Sequence, residues 1–136
     1  MTEQMLNALT EKIIGVAIDV HRELGPGMLE KVYLRCMKIA LEEAGLLTQI
    51  DIGLPVRFRG KLVDSEGYRI DLLVEDTVVL MIKSVSAVPP VYEKQLQTYI
   101  RLADKPCGLL FNFNSPTLHS GIKRAKNGYL PNEINQ

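Results

Sequence analysis

The chain has 136 residues, of which 46% are apolar and 24% charged, and its 16 Lys plus Arg offset 16 Asp plus Glu to a formal net charge of zero. That length supports one domain with a real core and is too short for two. Zero net charge excludes a protein that coats nucleic acid non-specifically, an acidic tail or a polybasic membrane anchor, and leaves room for a local basic patch.

No apolar run reaches the length of a transmembrane helix, and the N-terminus lacks the charged-then-apolar layout of a signal peptide. Cys36 and Cys107 lie inside apolar periodic segments with no metal-ligand spacing, so they read as buried free thiols in a reducing cytoplasm.

The spacing of Ile13, Ala17, Val20 and Leu24 predicts a first helix, with Thr10 as its N-cap and Met5, Leu6 and Leu9 able to extend it backwards. His21 borders that stripe and reads as a hydrogen-bonded core residue. Gly25-Pro26-Gly27 stops the helix. A second helix is expected from about Met28 to Ala44, with an apolar face of Leu29, Val32, Tyr33, Cys36, Met37, Ala40 and Leu41. Glu30 falls in its first turn, at the margin of that face, where the macrodipole favours an acid.

Short β-like segments follow at Leu46 to Ile50 and Leu54 to Arg59, then a turn at Gly60-Lys61 and a lead-in at Ser65-Glu66-Gly67. The stretch from Gly67 to Val85 reads as two apolar strands joined by a tight acidic turn at Glu75-Asp76. Alternation puts Arg69, Asp71 and Leu73 on one face of the first strand and Ile70, Leu72 and Val74 on the other. On the second strand Val79, Met81 and Lys83 share a face, opposite Val78, Leu80 and Ile82. Asp71 and Lys83 are thus single charges in strands that otherwise look like core, where a charge costs free energy unless it is paired or binds something. A cross-strand ion pair and a metal-dependent phosphodiester site both account for them.

Pro89-Pro90 opens a helix from about Val91 to Ala103 with a stripe of Tyr92, Leu96, Tyr99 and Ala103, and Gln95 on its flank. Pro106 to Phe113 reads as a buried strand. Asn114-Ser115-Pro116 is a turn, and Lys123, Arg124 and Lys126 form a short basic segment before a polar tail. The expected architecture is a mixed α/β domain over residues 1–136, its core at about 10–128, with helices packed on a curved central sheet.

Gly27 to Tyr33 spells GxxExxY inside VHRELGPGMLEKVY, followed in order by GYRIDLLVED, a strand ending in Ile82-Lys83, YEKQLQTYIRL and GLLFNFN. Together these phrases resemble the GxxExxY protein family, a bacterial branch of the PD-(D/E)XK nucleases, across nearly all of residues 10–128. The resemblance implies an αβββαβ core and one cleft holding Glu30, Asp71, Lys83 and Gln95 as catalytic residues. It also implies Asp71 and Glu30 as ligands of Mg²⁺ or Mn²⁺, with Tyr33 and Tyr99 on the substrate. Lys123, Arg124 and Lys126 read as a solvated terminal segment, or alternatively as cations that hold the substrate backbone. That substrate would be nucleic acid, DNA before RNA, with homodimerisation left open. Such chemistry suits these residue types. Oxygen donors hold a hard cation that offsets phosphate charge, and a lysine orients water or stabilises developing negative charge.

One position departs from the family pattern. The strand there reads acid-x-Lys, but position 81 is methionine, a poor ligand for hard cations. Either the site is dead and the fold is kept for binding nucleic acid or a protein partner, or Glu30 and Asp71 suffice, helped by an acid such as Glu93.

Overall fold

A computed structural model describes residues 1–128. Helix α1 spans Glu3–Leu24, with the Thr2 side chain accepting a hydrogen bond from the Met5 backbone at its N-cap. The cap therefore lies eight residues before the expected one. Thr10 is instead buried within it, because Leu6 and Ile13 already continue the apolar stripe on either side. Helix α2 spans Glu30–Glu43.

Strand β1 (Thr48–Phe58) joins the two short segments into one, and β2 (Lys61–Val74) begins directly after the Arg59-Gly60 turn. Both turn residues have positive φ, as do Glu75 and Asp76 in the next turn. Tight hairpins that follow the strand twist select this backbone. Strand β3 (Val78–Lys83), helix α3 (Pro90–Ala103) and strand β4 (Cys107–Asn112) form a crossover unit, and β5 (Ile122–Lys126) closes the sheet. The basic segment read as a solvated tail is thus an edge strand, and the last residues, 129–136, lie outside the described part.

The sheet order is β1-β2-β3-β4-β5, with β3 and β4 parallel and the other neighbours antiparallel. Helices α1 and α2 cover one face through Leu72, Val74, Leu80, Ile82, Leu109 and Phe111. Helix α3 covers the other through Leu73, Val79, Met81, Leu110 and Ala125. This is the expected mixed α/β architecture and agrees with an αβββαβ core. Alternation holds except at Ile70, which packs with Leu54 on the α3 side rather than with Leu72 and Val74. Among the described residues, no helix is long and apolar enough to cross a membrane.

Glycines set how closely the layers approach. A Cβ on Gly108 would lie 2.7 Å from Leu96 Cδ1 and 2.8 Å from Ile100 Cγ2, so the bare backbone of β4 lets α3 sit directly on the sheet. His21 is buried, as expected, and its Nε2 meets the Ser115 carbonyl oxygen at 2.9 Å.

Candidate active site and its relatives

The β2–β3 register runs through the pairs Val74–Val78, Leu73–Val79 and Leu72–Leu80. Its next step brings Asp71 beside Met81. There the backbone ladder gives way to a side chain, and the Asp71 carboxylate accepts the Ile82 N–H at 2.7 Å. A carboxylate that receives a backbone donor in this way is pinned in orientation. Burial pushes the pKa of Asp71 up from the usual carboxylate range, against the Ile82 hydrogen bond and the positive charge of Lys83. The charges of Glu30 and Asp51 push it further in the same direction.

Glu30 reaches this region through a clamped loop. The Tyr33 hydroxyl donates to the Gly25 carbonyl and accepts the Met28 N–H, while Ser84 Oγ donates to the Met28 carbonyl at 2.7 Å. The backbone of Met28 is thereby fixed on both sides, and α2 begins next to the end of β3. Tyr33 is 0% exposed and stacks on Phe113 with ring centroids 4.6 Å apart. With no open surface and its hydroxyl already engaged, Tyr33 holds the loop and has nothing to offer a substrate.

Lys83 is half-buried on the α3 face, its Nζ 4.8 Å from the centre of the Tyr92 ring. It does not close a cross-strand ion pair with Asp71. The ion pairs among the described residues lie elsewhere. Gln95 and Tyr99 stand three and seven residues after Tyr92, on the same flank of α3. Tyr99 meets Tyr68 edge-on at 6.1 Å. Burial, then the nearby Asp71 charge, holds the Tyr99 pKa above its ordinary value, so the hydroxyl stays a donor. Asp71, Lys83, Gln95 and Tyr99 therefore share the α3 side of the sheet, with Glu30 at its rim.

The basic residues of β5 divide between the two faces. Lys123 is on the α3 side, 3.7 Å from Glu93. Arg124 points the opposite way, donating to Asn7 Oδ1 and Thr10 Oγ1 on α1, and Lys126 pairs with Glu3 at 2.6 Å. Strand alternation thus removes Arg124 from any surface it could share with Asp71. Glu93 is turned toward Lys123 on the edge strand, so it does not replace the missing acid.

Asp51 was not among the residues expected here. The flanking pairs Ile50–Leu72 and Ile52–Ile70 set it across from Asp71. It has φ of 53° and is held by Arg69, whose Nε donates to the Asp51 carboxylate and Nη2 to its carbonyl, each at 2.6 Å. A lone acid between Ile50 and Ile52 in a strand was the available signal.

Met81 is 2% exposed and packs with Leu73, Val79 and Leu96 beneath α3. It shares the face of Lys83 and Asp71, as the strand register predicts, but it fills the acid position with core. Among the described residues no three His, Cys, Asp or Glu side chains gather as a metal-binding group. Asp71 has one oxygen engaged by Ile82, Glu30 is solvent-exposed, and a thioether occupies the third position. With no acid at position 81 and Asp51 tied to Arg69, this donor set holds a resident Mg²⁺ poorly.

No curated protein and no solved structure matches the chain. A family profile described as the PD-(D/E)XK nuclease superfamily matches residues 7–125, from α1 through β5. By that match over most of its length, the chain belongs to the PD-(D/E)XK nuclease superfamily.

Proposed function

We propose that this protein is a nucleic-acid-binding member of the GxxExxY branch in which Mg²⁺-dependent phosphodiester hydrolysis has been lost with the acid at position 81. The observation that carries this reading is the burial of Met81 beside Asp71, on the one strand face where the superfamily pattern calls for a carboxylate.

What remains in the cleft suits holding a phosphate better than cutting one. Lys83 supplies a positive charge braced by the Tyr92 ring. Gln95 and Tyr99 supply neutral donors on the adjoining helix. The burial that disfavours ionised Asp71 also lessens its repulsion of a polyanion. Glu30 remains at the rim, fixed by the Tyr33–Met28–Ser84 clamp. The free thiols Cys36 and Cys107 accord with work in a bacterial cytoplasm.

The test is fluorescence anisotropy with labelled oligonucleotides in EDTA and in Mg²⁺, beside a plasmid and single-strand cleavage assay in Mg²⁺ and Mn²⁺. The reading expects binding in both buffers, weakened by Lys83→Ala, and no cleavage. Cleavage that disappears in Asp71→Ala would restore an enzyme. An absence of binding even at low salt would favour a protein-partner module.

A further inference from the structure

The β1–β2 hairpin is longer than the core needs. Beyond Tyr68 and Leu54 it continues as a two-stranded ribbon that ends at Phe58 and Lys61. The register shifts between Leu54 and Val56 and again between Val56 and Arg57, placing extra residues on β2. At the first shift Asp64 accepts the N–H groups of Glu66 and Gly67, and a Cβ on Gly67 would lie 2.2 Å from its carboxylate. Bulges of this kind bend a ribbon and raise its twist. The bend is therefore built in by a side chain and a required glycine.

The tip reads Arg57-Phe58-Arg59-Gly60-Lys61, three cations in five residues with no acid. All are exposed, and Arg57, Arg59 and Lys61 have no carboxylate partner among the described residues. Arg22, Lys38, Arg69, Lys105, Lys123 and Lys126 are each matched to an acid. Lys12, Lys31, Arg35, Lys94 and Arg101, also without an acid partner among the described residues, are spread over the three helices rather than gathered at one point. On a chain of zero net charge this concentrates unmatched positive charge at one projecting point. Phe58 is 62% exposed, with the Arg59 guanidinium carbon 4.9 Å from its ring centre, and Leu62 and Val63 are 51% and 62% exposed. An apolar surface ringed by free cations serves no purpose inside the fold.

We infer that this ribbon docks on duplex DNA, with Arg57, Arg59 and Lys61 on phosphates and Phe58 against the groove wall. The inference rests on the nucleic-acid reading above and extends it to a second contact surface. A two-stranded ribbon fits the major groove of B-form DNA, whereas the deep, narrow major groove of A-form RNA excludes it. Lys61 and Asp71 lie on the same strand, ten residues apart. At roughly 3.3 Å per residue the tip reaches at most about 33 Å from the cleft. That is about one turn of duplex, so cleft and ribbon together define a footprint of no more than about ten base pairs.

The test measures salt-dependent binding of the full chain and of its Arg57→Gln/Arg59→Gln/Lys61→Gln variant to a labelled 20-base-pair DNA duplex, the matching single strand and an RNA duplex. A Lys12→Gln/Arg35→Gln variant on the α1–α2 layer controls for general charge. Loss of three phosphate contacts should lower the slope of log K against log salt by about 2.7 on duplex DNA. The control should keep the parent's slope, and the RNA duplex should show no such difference.

If the parent binds duplex DNA and the triple variant binds it identically, the ribbon inference falls while the nucleic-acid reading stands. If the parent binds no nucleic acid, both fall. An equal loss on the RNA duplex overturns the groove assignment. A self-association that Phe58→Ala abolishes while DNA affinity stays unchanged would make the ribbon a contact between copies of this chain, and would also overturn the inference.

Discussion

Asp71 accepts the backbone N–H of Ile82 at 2.7 Å, taking over with a side chain where the β2–β3 ladder stops. This bond holds a carboxylate in a place that burial makes unfavourable for its charge. In the folded protein the acid is therefore weaker than in the unfolded chain. The neutral form stabilises the fold, and that advantage is present at low pH and lost as pH rises through the raised folded value. Asp71→Asn keeps an acceptor for Ile82 and removes the charge. It should raise Tm by a few degrees at neutral pH, with the gain shrinking as pH falls toward the unfolded value near 3.8. Thermal melts of both proteins across that window check the sign. The same variant should lower the Tyr99 pKa seen by ultraviolet titration, since the Asp71 charge is one cause of its rise.

Tyr33 tests the clamp. Tyr33→Phe leaves the ring stacked on Phe113 but deprives the Gly25 carbonyl and the Met28 N–H of their partner. The expected cost is about 1–3 kcal/mol. Limited proteolysis should show faster cutting between Gly25 and Leu29, because the loop that leads into Glu30 loses one of its two anchors. A variant as stable and as protected as the parent would place the anchor at Ser84 alone.

Gly108 tests the seating of α3. An alanine there meets Leu96 and Ile100 below ordinary contact distance. Gly108→Ala should destabilise by about 1–3 kcal/mol. It should also shift the near-ultraviolet signal of Tyr92 and Tyr99, which ride on the displaced helix. Unchanged stability with unchanged aromatic spectra would mean that the two side chains swing aside at no cost.

The residues allowed most of the fold to be read in advance, for particular reasons. Apolar stripes at helical spacing located α1, α2 and α3, and the alternation of Val79, Met81 and Lys83 against Val78, Leu80 and Ile82 gave the correct faces of β3. What could not be read depended on partners distant in the chain. Thr10 resembled a cap but is an interior residue that meets Arg124 across the fold. The Lys123–Lys126 segment resembled a solvated tail, and only pairing with β4 makes it a strand. Tyr33 stood in a family motif, yet its place under Phe113 comes from the way α2 packs. Asp51 was hidden because its relation to Asp71 exists only through the β1–β2 register. Asp51 and Gly53 fall in the gap between the two expected segments, and β1 runs through both as an edge strand, with Asp51 at positive φ.

The central claim is that one side chain, Met81, separates this cleft from a metal site. Mg²⁺ titration calorimetry on the parent and on Met81→Glu, with plasmid cleavage and melts run in parallel, tests it most directly. A glutamate at 81 puts a second carboxylate beside Asp71 in an apolar setting, so Met81→Glu should melt below the parent in EDTA and recover in Mg²⁺. The account predicts no binding heat and no cleavage for the parent. It predicts saturable Mg²⁺ binding and cleavage for Met81→Glu, both abolished by adding Asp71→Ala. Cleavage by the parent itself, lost in Asp71→Ala and Lys83→Ala, would contradict it.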